Sequence, residues 1–255
     1  MTTGKKTALV VAASLLVLGI GLVGVAVALG GTQVVKDSVS INLGTADIGL
    51  LQIGGLSSGL RLFKSGEGSE APESGKYDSA EGDYTEITIG TVSQDITVVR
   101  SDDEAIHASY EQSEHMKFEI SDRDGSFSLT AKSRGSSFFG SGASGPVTVS
   151  VPHSFEGKLV LGTVSGDIEV CAFDELDRLQ CDSVSGKIRF EAVSAEKIMC
   201  DTVSGDIEGT LRGSESDWTV KADTVSGDMP AKRTGGTREV MFNTVSGDGT
   251  LTFTP

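Results

Sequence analysis

D-T-V-S-G-D-I, residues Asp201–Ile207, is one of five closely similar phrases in this chain. The other four copies are Gly162–Ile168, Asp182–Ile188, Asp223–Met229 and Asn243–Gly249. A catalytic centre needs its nucleophile once, whereas a phrase that returns about every twenty residues is typical of a repeat architecture. The phrase therefore predicts a recurring structural element and argues against a set of active sites.

A sixth copy begins at Thr91 and carries Gln94 where the other copies have glycine. The serines of the last five copies are 20, 19, 22 and 20 residues apart. Apolar and polar residues alternate on both sides of the phrase, which indicates half-buried strands joined by a bend. The positions predicted as corners are Ser93, Ser165, Gly166, Ser185, Gly186, Ser204, Gly205, Ser226, Gly227, Ser246 and Gly247.

Alignment of the copies on their serines produces two apolar columns separated by a mixed column, as expected for a strand with one buried face. The first apolar column is Ile87, Leu159, Leu179, Ile198, Val220 and Val240. The second is Ile89, Leu161, Cys181, Cys200, Ala222 and Phe242. The next column, predicted to face outward, is Gly90, Gly162, Asp182, Asp201, Asp223 and Asn243.

One such coil cannot bury its own apolar columns, but stacked coils bury a continuous core. The pattern therefore predicts an all-β fold, a parallel β-solenoid of the β-helix type, in which each coil pairs with the next at about 4.8 Å. Glycine at the corner permits the positive φ that a sharp bend can require. Replacement of Gly205 by Val should then destabilise the fold, whereas Ser204→Ala should cost little.

The interval between Ser93 and Ser165 holds shorter alternating runs around Ala108, Phe118 and Val149, with a turn at Asp124-Gly125. These runs are compatible with further, degenerate coils or with a hairpin excursion. The number of coils in this interval stays open.

The N-terminus predicts a membrane anchor. Lys5 and Lys6 precede a run without charged residues from Thr7 to Val35, which is long enough to span a bilayer. The flanking charges place the N-terminus in the cytoplasm and the rest outside. The expected organisation is a cytoplasmic stub and transmembrane helix at 1–31, a tether at 32–83 that is rich in Gly, Ser and Glu in its second half, and the solenoid at 84–255.

A cleavable signal is the alternative interpretation of the N-terminus, because Ala26-Val27-Ala28 has the small-x-small form of a cleavage site. The protein would then be secreted. Both interpretations export the remainder of the chain, so both place its function outside the cytoplasm.

Charge and motif content exclude several functions. A net charge of −15 argues against nucleic-acid binding. None of the six corner serines lies in a G-x-S-x-G elbow, and no C-x-x-C or other metal-ligand spacing is found. Cys181 and Cys200 are expected to be buried apolar fillers, since stacked side chains have poor disulfide geometry. We expect no enzyme activity and no cofactor.

Calcium is the one ion that the repeat suggests. Aspartates recur in two columns, one of Asp182, Asp201 and Asp223 and one of Asp95, Asp167, Asp206, Asp228 and Asp248, the second interrupted by Lys187. Stacked carboxylates would repel one another unless they share a cation or are hydrogen-bonded. The repeat nevertheless lacks the nine-residue calcium-binding motif of solenoids. The favoured interpretation is that each aspartate caps its own turn.

The region from about Tyr84 to Pro255 resembles the bacterial putative-adhesin family of unknown function with β-strand repeats. The resemblance rests on I-T-I-G-T-V-S-Q-D-I-T-V-V-R-S-D-D-E at Ile87–Glu104, D-G-S-F-S-L-T at Asp124–Thr130, and the V-S-G-D-I series after them. It implies a β-solenoid-like fold on membrane-anchored or exported bacterial proteins, some of them resembling envelope-stress partners. It supplies no catalytic motif.

Two functions are compatible with these observations. The first is a non-catalytic binding or adhesion module at the bacterial cell surface, whose partner is an unknown protein or glycan of the cell envelope. The alternative is an envelope-stress sensing or regulatory protein that binds other membrane proteins of the same cell. Open solenoid ends also favour self-association.

Overall fold

The computed structural model describes residues 69–71, 73–113, 116–133 and 145–255. In these residues the strands form two facing sheets, one of nine strands (sheet 1) and one of eight (sheet 2). The strands in chain order are β1 (Ser69–Glu70), β2 (Lys76–Asp78), β3 (Glu86–Gly90), β4 (Ile96–Arg100), β5 (His107–Ser109), β6 (Met116–Arg123), β7 (Ser126–Ser133), β8 (Val147–Val151), β9 (Lys158–Thr163), β10 (Ile168–Cys171), β11 (Arg178–Ser183), β12 (Ile188–Val193), β13 (Lys197–Thr202), β14 (Ile207–Arg212), β15 (Trp218–Asp223), β16 (Arg238–Asn243) and β17 (Gly249–Thr254). A short 3-10 turn, η1, covers Glu215–Asp217.

Each repeat contributes one strand to sheet 1 before the corner and one strand to sheet 2 after it, as in β9 followed by β10. Equivalent strands pair in parallel, and the register matches the alignment on the serines: Leu179 pairs with Leu159 on one side and with Ile198 on the other. The predicted parallel repeat is therefore confirmed. Sheet 1 runs β1-β6-β7-β3-β9-β11-β13-β16-β15, and sheet 2 runs β17-β14-β12-β10-β4-β8-β5-β2.

The core lies between the two sheets and is built from their inward columns. Both predicted apolar columns are buried along their whole length. Large and small residues alternate between coils where space requires it: Phe190 fills the core opposite Gly209, where an added Cβ would lie 2.2 Å from the phenyl ring. A glycine at 209 therefore makes room for the aromatic ring of the neighbouring coil.

The spatial order of the coils differs from the chain order at the C-terminal end. We expected each coil to stack on the next, but β16 lies between β13 and β15. The coil of Ser246 therefore stacks directly on that of Ser204, and the coil of Ser226 lies outermost. After β14 the chain crosses to the outermost position first and returns afterwards to fill the place between.

The other end contains both features that the interval between Ser93 and Ser165 left open. β6 and β7 form an antiparallel hairpin around Asp124-Gly125, whose φ values of 53° and 69° suit a two-residue hairpin turn. β7 and β8 then add one coil, which pairs with β3 and β4. This coil lies outside the coil of Ser93, so the order of stacking departs from chain order here also.

Two short strands fall within the predicted tether. β1 pairs antiparallel with β6, and β2 pairs antiparallel with β5, so the sheets begin before residue 84. The described part of the chain contains no helix long and apolar enough to cross a membrane. The predicted span at 1–31 and most of the predicted tether lie outside the described residues.

Candidate functional site

The repeated corners form a continuous hydrogen-bonded edge along the stack. The amides of the last five corner serines each donate to the carbonyl of a valine in the adjacent coil, as in Ser185 N to Val164 O at 3.0 Å and Ser204 N to Val184 O at 2.9 Å. Ser246 donates to Val203 and Ser226 to Val245, which follows the spatial order. The phrase is thus the segment through which one coil is held to the next.

The corner glycines are required by close contact between coils. A Cβ added at Gly186 would lie 1.7 Å from the carbonyl oxygen of Gly166, and one at Gly205 would lie 2.0 Å from that of Gly186. Among the five corner glycines only Gly227 has a positive φ, of 133°. A positive φ is therefore not the common reason for glycine at these corners, and the missing side chain is what matters.

The aspartates two residues after the corner serines cap the neighbouring coil. The Oδ1 atom of Asp95 accepts from the amide of Asp167 at 2.8 Å, and Oδ1 of Asp167 accepts from the amide of Lys187 at 2.8 Å. Asp206 and Asp248 repeat this contact with the amides of Asp248 and Asp228. The prediction that each aspartate caps its own turn is thus wrong by one coil.

The column predicted to face outward is largely buried. Asp182 is only 1% exposed, and Gly90, Gly162 and Asn243 are also buried. Gln180, two residues earlier in the same strand, covers Asp182 and donates from Nε2 to its Oδ2 atom at 2.8 Å. Strand alternation predicts the face on which Asp182 lies, but not that a polar neighbour on the same face buries it.

The three aspartates proposed for calcium do not form one uninterrupted column. Asn243 pairs in register with both Asp201 and Asp223 and so separates them. Its Nδ2 atom donates to Oδ1 of Asp201 at 2.6 Å, and Lys232 Nζ contacts Oδ1 of Asp223 at 2.6 Å. No group of three His, Cys, Asp or Glu side chains in the described residues is placed to hold a metal ion.

The corner serines are exposed in a row along the stack. The hydroxyl contacts found for Ser165 and Ser185 go to backbone carbonyls of the preceding coil, at 3.4 and 3.3 Å. No hydrogen bond from a corner hydroxyl to a histidine or carboxylate is present in the described part. The arrangement offers a repeated polar edge with no activated nucleophile in it.

A groove of about 450 Å³ lies at the C-terminal end of the stack. It arises because the two sheets end at different levels. Sheet 1 ends with β15 of the outermost coil, whereas sheet 2 ends with β17, which belongs with β16 to the coil beneath. The groove is lined by Glu215, Val220, Asp228, Met229, Pro230, Ala231, Arg233 and Gly249–Phe253. The strand that would follow Ser226 in sheet 2 is replaced by an irregular segment beginning at Met229-Pro230.

The sequence profile of one family matches this arrangement of corners and strands. The Toastrack DUF4097 profile covers residues 84–217, just over half of the chain. This chain belongs to the Toastrack DUF4097 family. The resemblance deduced from the repeat phrases is confirmed.

Solved structures also resemble this Toastrack chain. A putative cell adhesion protein from Clostridium sporogenes matches with a TM-score of 0.54 at 10% identity, over 70% of this chain and 99% of that one. A putative adhesin from Bacteroides fragilis matches with a TM-score of 0.32 at 11% identity, over 70% and 96%. A comparison with curated proteins finds no match. At 10% identity the first likeness concerns the fold alone.

The cysteines of this Toastrack domain are placed as the repeat predicts. Cys181 and Cys200 pair in register inside the core, and both are free thiols, as is Cys171. Burial, followed by the contact with Cys181, raises the pKa of the Cys200 thiol well above its usual value. A thiol held protonated in the core acts as a small apolar residue.

A histidine cluster was not recognised from the sequence, because its members are far apart in the chain. His107 Nδ1 lies 2.7 Å from Asp78 Oδ1, and Nε2 lies 3.1 Å from Asp103 Oδ1. These hydrogen bonds, first to Asp78 and then to Asp103, raise the pKa of His107. Pairing of β2 with β5 brings Asp78 to His107, so no local motif reveals the cluster.

The groove was also missed, although the sequence carries a signal for it. Four of the first five phrases continue into an Ile-containing strand at Ile96, Ile168, Ile188 and Ile207, whereas the phrase of Ser226 continues into Met229-Pro230. Proline cannot donate in a central strand. This departure marks the coil whose second strand is absent from sheet 2.

Proposed function

We propose that this Toastrack protein is a membrane-anchored, extracytoplasmic, non-catalytic binding or adhesion module at the bacterial cell surface. The observation that carries the proposal is the use of the repeated polar groups. Corner amides, valine carbonyls and aspartate carboxylates bond coil to coil. A chain that uses its repeated polar groups for stacking gains a rigid scaffold, whose exposed edges and ends are left to contact partners.

Anchoring and export are supported by the sequence of the N-terminus. The uncharged run from Thr7 to Val35 follows two lysines, which favours insertion with the N-terminus inside. The acidic, Gly- and Ser-rich segment before the domain would hold the solenoid away from the membrane. Cleavage after Ala28 would instead release a secreted form with the same solenoid.

A regulatory role within the same envelope is the second candidate. Its support is the family resemblance, because some members of the putative-adhesin family look like envelope-stress partners. In that role the solenoid would contact a membrane protein of the same cell. The two candidates therefore differ in where the partner resides.

The test is site-specific photo-crosslinking on intact cells that carry the full-length protein, followed by mass spectrometry. The photoreactive residue replaces exposed Val225 at the C-terminal end or exposed Glu81 near the other end. Capture of glycans or proteins of another cell supports adhesion. Capture of membrane proteins of the same cell supports the regulatory candidate, and capture of neither kind at either end contradicts the binding function.

A further inference from the structure

The C-terminal end of the stack is stepped by one strand. Sheet 1 continues from β13 through β16 to β15, whereas sheet 2 continues from β14 to β17 and stops. The outer edge of β15 is bridged by Arg233, whose amide and carbonyl bond to those of Val220 at 3.0 and 2.9 Å. The outer edge of β17 has no such bridge beyond its first residue in the described part of the chain.

β17 presents backbone groups along this edge. The carbonyls of Asp248 and Thr254 accept bonds from Ile207 and Gly213 of the neighbouring chain segment, so alternate residues of β17 point toward β14. Leu251 and Phe253, the residues between, therefore direct their N–H and C=O groups outward. The Gly249 amide bonds to the Asp228 carbonyl at 2.8 Å, which closes only the start of the edge.

The groove beside this edge has the size and lining of a strand position. Its volume of about 450 Å³ corresponds to roughly three residues of an extended chain in a sheet. Met229, Leu251 and Phe253 are only partly buried and pack against the core from this end. β17 itself, G-T-L-T-F-T, carries no charge that would discourage pairing.

A second copy of the chain does not fit the step symmetrically. Antiparallel pairing of two β17 strands requires a two-fold axis through both sheets. Under this symmetry β15 of one copy would occupy the same space as β16 of the other. The opposite end of the solenoid is flush, with three strands beyond β3 in sheet 1 and three beyond β4 in sheet 2 among the described residues. Head-to-tail stacking on the stepped end would therefore leave one strand position of sheet 2 unfilled.

We propose that the stepped end binds an extended peptide segment of another protein, which adds to sheet 2 as the strand after β17. This proposal deepens the proposed binding function and rests on it. The segment has apolar residues at alternate positions, which pack on Leu251 and Phe253, while its backbone bonds to theirs. Arg233 is neutralised by its ion pair with Glu215, so the remaining charge of the groove lining is that of Asp228. This negative charge favours a segment that is uncharged or basic.

The experiment uses the full-length protein in detergent and the peptide Lys-Thr-Val-Thr-Val-Thr-Lys. Amide hydrogen exchange is followed at single residues of β17 with and without peptide. We expect exchange at Leu251 and Phe253 to slow at least tenfold, because their outward amides gain acceptors. Exchange at Thr250 and Thr252, whose amides point toward β14, should not change. The control peptide Lys-Thr-Pro-Thr-Pro-Thr-Lys lacks the strand donors and should have no effect.

A variant separates loss of binding from loss of folding. Leu251→Pro removes an amide that faces away from β14, so the sheet is expected to persist while peptide binding is lost. Thr250→Ala, at an exposed side chain of the same strand, should retain binding. Equal binding of the peptide by Leu251→Pro, or no slowing at Leu251 and Phe253 at millimolar peptide, would overturn the proposal.

Protection of Leu251 and Phe253 in the free protein would also overturn it, since the edge would then be covered already by this chain or by a second copy. Light scattering on the same sample tells these two occupants apart. The proposed function is tested separately by the crosslinks on cells. If partners are captured at Glu81 alone and the peptide does not protect β17, the proposed binding function is supported and the proposed strand site is contradicted.

Discussion

At the last five corners the residue after the serine is glycine because a carbonyl oxygen of the neighbouring coil occupies the space of a Cβ. In Gly205→Val the added Cβ would lie only 2.0 Å from the carbonyl oxygen of Gly186. We expect a loss of about 3 kcal/mol or more in the free energy of unfolding, above the usual range for overpacking, because backbone must move. Urea denaturation followed by far-UV circular dichroism measures it.

The matched control is Ser204→Ala, one residue earlier. The Ser204 side chain is exposed, so its removal should change the free energy of unfolding by no more than about 0.5 kcal/mol. If both variants were equally stable, the contact between corners would not determine the residue at this position. A loss of a measured activity in a folded Ser204→Ala protein would instead support a catalytic serine.

His107 makes stability depend on pH. Its pKa is raised above 6.5 by hydrogen bonds to Asp78 and Asp103, so the folded protein binds this proton more tightly than the unfolded chain. The stabilisation is fully present below pH 6.5 and is lost as pH rises through the raised pKa. Denaturation midpoints between pH 6 and 9 should fall for this reason. Because His107 is 39% exposed, the effect is screened and modest.

His107→Gln should remove this component of the pH dependence, and His153→Gln should leave it in place. Titration of the His107 ring protons by NMR gives an independent check. A His107 pKa at or below 6.5, or an unchanged pH profile in His107→Gln, would contradict the assignment of the effect to this cluster.

At the scale of the element, the first corner differs from the others because no repeat phrase precedes it in the stack. In the coil of Ser165, the amides of Val164 and Ser165 both donate to Val92 O. In the first corner the equivalent amides, of Val92 and Ser93, lie 3.4 and 3.3 Å from Gln94 Oε1. The Gln94 side chain thus takes the place of the carbonyl that a preceding corner would provide.

This cap reverses the expectation from the repeat. Gln94→Gly makes the phrase identical to its neighbours, yet we expect it to lower the free energy of unfolding by about 1–2 kcal/mol, because two amides lose their acceptor and a buried side chain is lost. Gln94→Met, of similar volume but without the acceptor, should show much of the same loss. A Gln94→Gly protein as stable as the native one in thermal denaturation would show that the cap is dispensable.

The strands themselves could be predicted from the sequence because each carries its own two-residue period, and the registers follow from the phrase. The stacking order could not. Val220 and Val240 fit the same column equally well, and nothing local decides which of them pairs with Ile198. The cluster of Asp78, Asp103 and His107 and the groove beside Leu251 both depend on contacts between distant segments, so they too became apparent only from the structure.

At the scale of the whole molecule, the order of stacking determines how cooperative the C-terminal end is. Solenoids with chain-ordered coils can lose a terminal coil and keep the one before it, since each contacts only its neighbours. Here β15 contacts the stack through β16, which comes later in the chain. The outermost strand of sheet 1, β15, is therefore held in the sheet by a strand that follows it in the chain.

Truncation after Thr237, which removes β16 and β17, tests this order. In a chain-ordered solenoid β15 would still pair with β13, and Trp218 would stay buried. In the observed order β15 loses its strand partner, so we expect the emission of Trp218, the one tryptophan and fully buried in the native fold, to shift to longer wavelength. Amides of Trp218–Asp223 should lose protection from exchange while those of β9 and β11 keep theirs. Retained protection of β15 would mean that it can pair with β13 directly, and that the inserted strand does not hold the end of the stack together.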